Sequence, residues 1–267
     1  MAGGTGTELW ALDFDGVACD SVGESSLSAF KAAAKLWPDV FATPEAEACK
    51  EELVEKMRVV RPVVETGYEN IVQIRALLEG VQPEEMLVSW HDMLPKLMQK
   101  WELDRVELVH LFGSTRDEWM AADLDGWLAP NRIYPGVAEA IKALMHRHEV
   151  YIVTTKQARF TEAILQQMAG IEFPMDRIFS QTVSGAPKSE VLADLAQKHP
   201  EAASLHFVED KMSTLEKVAK LDSLRPYNLY LVDWGYNTAE ERARAAANQR
   251  IEVVGADRFA QLAGLRP

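Results

Sequence analysis

The segment Leu9–Val17 most constrains the fold of this chain, because an apolar run leads directly into two aspartates, Asp13 and Asp15. Side chains at positions i and i+2 of an extended chain point to the same face, so both carboxylates can approach one ligand where a strand ends. Gly16 allows the chain to turn away afterwards. Two neighbouring carboxylates repel each other unless water or a hard cation offsets their charge. The segment therefore predicts a strand that ends in a Mg²⁺ site, although a strand that ends in an Asx turn has the same pattern.

Three later segments place polar residues next to predicted strands or helices. Glu149–Thr155 is an apolar run that ends in two hydroxyl groups, and Leu205–Asp210 is another that ends in two acids. Between them, Lys188 precedes apolar residues at helical spacing. The carboxyl ends of parallel strands meet at one edge of an open sheet. We therefore expect these groups to converge with Asp13 and Asp15.

The order Asp-x-Asp, Thr, Lys and Glu-Asp resembles the haloacid dehalogenase superfamily, and specifically its helical-cap phosphatases of the phosphoglycolate phosphatase and β-phosphoglucomutase type. The resemblance implies an α/β fold, in which a Rossmann-like parallel sheet core with helices on both faces carries an inserted all-helical cap domain. The matching pieces are Asp13-Phe14-Asp15-Gly16-Val17, Thr154 after Tyr151-Ile152-Val153, Lys188 before Ser189-Glu190, Glu209-Asp210 after Phe207-Val208, and a re-entry into the core at Ile133–Val137.

The resemblance also implies a role for each matching residue. Asp13 is the expected nucleophile, which forms an aspartyl-phosphate. Asp15 is the expected acid and base, which protonates the leaving oxygen and then activates water. The expected phosphate-binding residues are Thr154, Thr155, Lys188 and Gly16, and the expected Mg²⁺ ligands are Asp13, Asp15 through its backbone carbonyl, Asp210 and Glu209.

The last motif departs from the common pattern of the superfamily. Many relatives have another Asp four or five residues after the first acid of this motif, where this chain has Thr214 and Leu215. We expect Glu209 to supply the missing charge. The departure leaves open a member that binds ligands without turnover.

Asp15 distinguishes between the chemistries of the superfamily. The metal-free dehalogenases lack an acid at this position, so the resemblance implies a phosphohydrolase that acts on a small phosphorylated metabolite. A phosphomutase keeps both aspartates and remains an alternative.

The charge balance of the chain limits its partners. Its 267 residues include 28 Lys and Arg against 41 Asp and Glu, a formal net charge of −13. Such a chain is not expected to bind nucleic acid, because an extended polyanion would be repelled. A small phosphorylated metabolite is still a suitable ligand, because Lys188 and a metal ion would neutralise it locally. No pattern predicts an oligomeric state.

Other patterns bear on the compartment. No apolar stretch approaches the ~20 residues that a membrane span needs, and residues 1–7 lack the apolar core of a secretory signal. The two cysteines, Cys19 and Cys49, have neither zinc-site nor disulfide-framework spacing. We therefore expect a cytoplasmic protein with no membrane partner.

The region between residues 20 and 130 has helical rather than strand-like patterns. The sequence thus predicts a core formed by residues 1–19 and 131–267, and a helical cap formed by residues 20–130 that closes over the substrate. The predicted cap helices are Ser25–Leu36, Pro44–Val60, Gly67–Leu78, Pro83–Gln99 and Asp104–Ala122.

Substrate specificity is expected to come from polar residues of the cap. Arg61 could bind a second anionic group of the substrate. Alternatively, the arginines of this stretch form surface ion pairs with Glu55, Glu65 or Glu69. The candidate specificity residues are Arg58, Arg61 and Tyr68, together with Ser21 and Glu24, which follow the first motif closely.

Overall fold

The computed structural model of the chain describes residues 6–265. The chain forms two compact units. The sheet unit contains the described residues up to Asp20 and those from Ile133 onward, and the helical insert is Ser21–Arg132. Of the N-terminal segment 1–7, positions 1–5 lie outside the described residues. Across residues 6–265, no helix is both long enough and apolar enough to cross a membrane.

The sheet unit is built on parallel strands. Its strands, with two short ones that border the insert, are β1 (Leu9–Leu12), β2 (Cys19–Asp20), β3 (Arg132–Ile133), β4 (Glu149–Thr154), β5 (Ile178–Ser180), β6 (Leu205–Glu209), β7 (Tyr227–Val232) and β8 (Ile251–Val254). In the part of the chain that the structure describes, the sheet order is β5-β4-β1-β6-β7-β8, and all its pairs are parallel. Every residue of β1 and β6 is buried, as expected for strands covered on both faces.

The helical insert consists of helices and short turns. Its helices are α1 (Val22–Leu36), α2 (Pro38–Phe41), α3 (Pro44–Ala48), α4 (Lys50–Val60), α5 (Glu69–Leu78), α6 (Pro83–Lys100), α7 (Arg105–Ala122) and α8 (Leu124–Leu128). The predicted helices of this region are confirmed, except that Pro44–Val60 is divided at Cys49. Large side chains such as Phe30, Ile71 and Trp90 form the apolar core of the insert. The insert corresponds to the helical cap of the expected fold.

Further helices flank the sheet. They are α9 (Val137–Met145), α10 (Ala158–Ala169), α11 (Gln181–Ser184), α12 (Lys188–Lys198), α13 (Met212–Ala219), α14 (Ala239–Ala246) and α15 (Ala256–Leu262). Leu192 of α12 and Leu215 of α13 pack with Phe207 of β6 in one buried cluster. The predicted α/β class, a parallel sheet with helices and a helical insert, is confirmed. The sequence patterns do not predict β5, because three residues are too few to show a period.

A tight turn follows β1 and fixes the first motif. The Phe14 carbonyl accepts hydrogen bonds from the N–H groups of Val17, Ala18 and Cys19 at 3.3, 2.8 and 3.0 Å. Gly16 lies within the turn at φ +87°, a conformation that L side chains rarely adopt. The turn therefore directs the residues after β1 into a compact loop at the carboxyl edge of the sheet.

Candidate active site

Asp13 lies directly after β1 and remains beside β6. Its N–H donates to the carbonyl of Val208 at 2.9 Å, which continues the parallel pairing by one residue. Its side chain is buried. Asp13, Glu209 and Asp210 each offer a carboxylate oxygen, and these oxygens lie within 4.8 Å of one another. Strand pairing has thus brought together acids that are nearly 200 residues apart in the chain.

Lys188, the first residue of α12, joins two of these acids. Its Nζ lies 3.0 Å from Asp13 Oδ1 and 2.7 Å from Glu209 Oε2. Burial alone would lower the pKa of Lys188, but the carboxylates of Asp13 and Glu209 raise it above its usual value. The ammonium therefore stays charged inside the protein.

The acids carry more negative charge than Lys188 balances. Burial raises the pKa of Asp13 to about 7, and Glu209 adds to the increase while Lys188 opposes it. A buried carboxylate with an elevated pKa is stabilised as an anion when a cation binds beside it. The donor set consists of oxygen atoms, the ligands that hard divalent cations prefer. The cluster could therefore hold a metal ion.

Glu209 has contacts that position Lys188. Its Oε2 accepts the hydrogen bond from Lys188, and its Oε1 accepts the backbone N–H groups of Asp210 and Lys211 at 3.0 Å each. Burial raises the pKa of Glu209, while Lys188 opposes that shift. These contacts fix the carboxylate with one oxygen toward the lysine, so that Glu209 orients Lys188 as well as adding charge to the cluster.

The segment after β4 contributes hydroxyl groups and a second lysine. Thr154 is buried, and its hydroxyl accepts the N–H of Lys156 at 3.1 Å. The Thr155 carbonyl accepts a hydrogen bond from the Thr182 hydroxyl. Lys156 is buried and places Nζ 3.3 Å from Asp15 Oδ1. Lys156 is not among the site residues predicted from the sequence, although its position at the polar end of an apolar strand could have identified it.

Gly16 lies directly against Asp210, so its position requires a small residue as well as a flexible backbone. A Cβ atom at Gly16 would overlap the carboxylate of Asp210. The turn after β1 therefore approaches Asp210 as closely as the backbone permits. A side chain at this position would displace one of the acids.

The comparison with protein families identifies the group to which these motifs belong. A family model described as haloacid dehalogenase-like hydrolase matches residues 8–215. The chain belongs to this family of hydrolases. The matched range includes Asp13, Lys188, Glu209 and Asp210, the residues that form the acidic cluster and its lysine.

Several solved structures share the fold of this haloacid dehalogenase-like hydrolase. A predicted phosphatase from Clostridium acetobutylicum has 15% identity and a TM-score of 0.57, with 97% of this chain and 99% of that chain covered. A predicted phosphoglycolate phosphatase from Haemophilus somnus has 18% identity and a TM-score of 0.53, with 96% of each chain covered.

A third structure of the same fold has a different description. Protein tyrosine kinase A of Mycobacterium tuberculosis has 18% identity and a TM-score of 0.54, with 98% of this chain and 100% of that chain covered. The comparison with curated proteins found no match. At these identities the likeness shows the fold alone, and a shared fold does not determine the activity.

Two of the candidate specificity residues are enclosed in the helical insert. Glu24 is fully buried and accepts two hydrogen bonds from Arg116, at 2.7 Å each. The Ser28 hydroxyl and the Trp127 indole N–H also donate to it, at 2.6 and 3.0 Å. Ser21 is buried next to α1, and its carbonyl accepts the N–H of Ser25. These contacts give Glu24 a structural role within the insert.

The arginine stretch of this family member has two different environments. Arg58 is exposed and lies 3.7 Å from Glu55, which is the surface ion pair given above as the alternative. Arg61 is buried, and its guanidinium donates to the Val64 carbonyl at 3.4 Å. Tyr68 is largely buried, and burial raises the pKa of its hydroxyl. The roles of Arg58, Arg61 and Tyr68 in specificity stay predictions, and Glu55 competes for Arg58.

Proposed function

We propose that this protein is a Mg²⁺-dependent phosphohydrolase that acts on a small phosphorylated metabolite through an aspartyl-phosphate. The contact between Lys188 and Asp13, in a buried cluster of acids, carries this proposal. A phosphoryl group needs positive charge around its oxygens and a nucleophile in line with the leaving group. Lys188 supplies the positive charge, and the neighbouring carboxylate of Asp13 can act as the nucleophile.

The metal site would be formed by Asp13, Asp210 and the backbone carbonyl of Asp15. Bound there, Mg²⁺ would neutralise the charge of the phosphoryl oxygens and of the surrounding acids. The oxygen-only donor set and the elevated pKa of Asp13 support this assignment. Glu209 would contribute mainly by orienting Lys188.

Two steps of displacement at phosphorus would follow. The Asp13 carboxylate attacks phosphorus, the bond from phosphorus to the leaving oxygen breaks, and Asp15 gives its proton to that oxygen. A water molecule then attacks the aspartyl-phosphate, transfers a proton to Asp15, and releases phosphate and the free Asp13 carboxylate. Thr154 and Lys188 would hold the phosphoryl oxygens throughout. Lys156 would keep Asp15 in place.

Phosphate release from a panel of small phosphomonoesters tests the proposal. The panel includes a generic aryl phosphate, and each assay is run with and without Mg²⁺ for the wild type and for Asp13→Asn. The matched control is Asp194→Asn, which removes an exposed carboxylate from α12. We expect release that requires both Mg²⁺ and Asp13, with the control close to the wild type.

The covalent intermediate has its own readout. With the aryl phosphate as substrate, the Asp15→Asn variant should accumulate an acid-stable phosphoprotein that hydroxylamine cleaves, because an aryl oxide leaves without protonation whereas hydrolysis of the aspartyl-phosphate still needs the base. Release that persists in Asp13→Asn contradicts the mechanism. Conversion of a sugar phosphate to its isomer without free phosphate would identify a phosphomutase. Metal binding with no turnover on any ester would identify a binding protein.

A further inference from the structure

Asp210 is held by a segment that comes from a different strand. This segment, Trp234–Asn237, follows β7 and lies 24 to 27 positions beyond Asp210 in the chain. The backbone N–H of Tyr236 donates to Asp210 Oδ2 at 2.7 Å. The side-chain amide of Asn237 donates to the Asp210 carbonyl at 2.9 Å. Both the carboxylate and the main chain of Asp210 are therefore fixed from outside its own loop.

The amide of Asn237 is itself oriented by an arginine. Arg242 Nη1 donates to Asn237 Oδ1 at 2.9 Å and to the Asn237 carbonyl at 3.0 Å. A guanidinium can only donate hydrogen bonds, so the amide oxygen must face Arg242 and the NH₂ group must point the other way. There it donates to the carbonyls of Asp210 and Val232, each at 2.9 Å. Arg242 thus determines which end of the amide meets Asp210.

The backbone of the segment packs closely against Asp210. A Cβ atom at Gly235 would overlap the Cβ of Asp210 and lie 2.6 Å from the carbonyl of Gly16. On the other side, Gly16 has no room for a Cβ, because it would overlap the Asp210 carboxylate and lie 2.9 Å from the Tyr236 ring. Two glycines and an aromatic ring thereby limit the rotamers open to Asp210.

The segment is also anchored to the turn region after β1. The Tyr236 hydroxyl donates to Asp20 Oδ1 at 2.7 Å. The indole N–H of Trp234 donates to the Val17 carbonyl at 3.1 Å. With Arg242 on α14, these contacts attach Trp234–Asn237 at both ends to elements of the sheet unit, so the segment can resist displacement of Asp210.

We propose that Trp234–Asn237 is a positioning segment, which holds Asp210 in the orientation needed to bind the metal ion. This inference rests on the proposed function in that Asp210 is taken as a metal ligand. Hydrogen bonds to a ligating carboxylate reduce the reorganisation that binding requires, and their loss typically lowers metal affinity about 10- to 100-fold. Because the segment donates hydrogen bonds to the carboxylate and the carbonyl of Asp210, its proposed effect on the metal ion acts through Asp210.

Metal affinity is the direct test. Isothermal titration of the full-length protein with Mg²⁺, and separately with Mn²⁺, gives a Kd for each variant. Gly235→Ala should displace the segment, and Asn237→Ala should remove its hold on the Asp210 main chain. We expect both to raise the Kd about 10- to 100-fold. Tyr236→Phe keeps the backbone N–H and should change the Kd less.

Asn228→Ala is the matched control. Asn228 lies on β7, the strand that precedes the segment, and like Asn237 it donates its amide to a backbone carbonyl, that of Leu205 at 3.2 Å, at a position outside the acidic cluster. Its loss should leave the Kd unchanged. Thermal unfolding with and without metal separates the two kinds of effect. If the segment is purely structural, its variants lower the metal-free melting temperature. If it positions Asp210, its variants reduce the increase in melting temperature that Mg²⁺ produces.

Arg242→Met is a milder variant, because it acts only through the orientation of Asn237. It should raise the Kd even if Gly235→Ala does not fold. Unchanged Kd values in folded Asn237→Ala and Arg242→Met overturn the proposal, as does a wild type that binds neither ion at millimolar concentration. A wild type that binds Mg²⁺ but hydrolyses no ester contradicts the proposed function alone, and the variants still test the positioning segment.

Discussion

Lys156 Nζ lies 3.3 Å from Asp15 Oδ1, and the lysine side chain is only 1% exposed. The lysine lies two residues after the end of β4, whereas the aspartate lies in the turn after β1. A buried ammonium at this distance restrains the carboxylate more strongly than a surface lysine would. The pair therefore links Asp15, the residue proposed to act as both acid and base, to a neighbouring strand of the sheet.

Replacement of Lys156 should slow catalysis. In Lys156→Met, Asp15 loses a charged partner and the geometry that depends on it, and we expect kcat for phosphate release to fall about 10- to 100-fold. Steady-state kinetics on the best ester of the panel measures the effect. Lys198→Met, at the C-terminal end of α12, is the control. Equal kcat values for Lys156→Met and the wild type would show that Lys156 does not support Asp15.

Removal of Lys188 should destabilise the metal-free protein. Lys188→Met leaves the buried carboxylates of Asp13 and Glu209 without their cation, and broken buried pairs cost about 3–5 kcal/mol. We expect a loss of this order in the free energy of unfolding, measured by urea titration in the presence of a chelator. Adding Glu209→Gln to Lys188→Met should recover part of it, because one unpaired charge is removed. A double variant less stable than the single variant would contradict this account.

The buried ion pair of the helical insert makes a separate prediction. Arg116 donates to both oxygens of Glu24, and the side chains are 7% and 0% exposed. Arg116→Met should therefore destabilise the insert by about 3–5 kcal/mol. Tryptophan fluorescence during urea unfolding reports mainly on the insert, because five of the seven tryptophans lie there: Trp37, Trp90, Trp101, Trp119 and Trp127.

An exposed ion pair in the same unit is the control for Arg116. Lys35 contacts Glu118 at 2.6 Å, but the two side chains are 39% and 66% exposed. Exposed pairs contribute about 0–1 kcal/mol, so Lys35→Met should have little effect. If Lys35→Met and Arg116→Met shift the urea midpoint equally, burial does not increase the contribution of the Glu24–Arg116 pair to the free energy of unfolding.

Local patterns account for the parts of the fold that the sequence predicts. The strands Glu149–Thr154 and Leu205–Glu209 and the helices of the insert follow from apolar runs and helical spacing, which depend only on neighbouring residues. The positions of Asp13 and Asp210 follow from the rule that ligands collect at the carboxyl ends of parallel strands. Their roles in catalysis stay predictions.

Contacts between segments that are distant in the chain account for the parts that the sequence does not predict. Glu24 meets Arg116 across 92 positions, and Tyr236 meets Asp210 across 26. No spacing rule encodes such pairs, because they depend on how helices and loops pack. A role of Glu24 in specificity stays a prediction, but its burial against Arg116 could not be predicted, because a charged residue in the first turn of a helix is buried only when a partner approaches from another helix.

His206 connects the stability of the sheet unit to pH. Its ring stacks on Trp10 with the ring centroids 3.9 Å apart, and its nitrogens contact the hydroxyls of Ser204 and Tyr230 at 2.8 and 3.1 Å. Burial lowers the pKa of His206 from 6.5 to about 4; the nearby Glu8 opposes this shift and His148 adds to it. The imidazole is therefore neutral in the folded protein at neutral pH.

The direction of the pH effect follows from the higher pKa of His206 in the unfolded chain than in the folded protein. Below about pH 6.5 the unfolded chain protonates His206 while the folded chain does not, so the folded state loses stability as the pH falls, by about 3 kcal/mol at pH 4. Above pH 6.5 both states are neutral and this contribution vanishes. Urea unfolding at intervals between pH 7 and pH 4 measures the slope. His206→Gln keeps a hydrogen-bonding side chain without a titrating group, so its free energy of unfolding should fall less steeply; identical slopes in the two proteins would mean that His206 is protonated in the folded state as readily as in the unfolded chain.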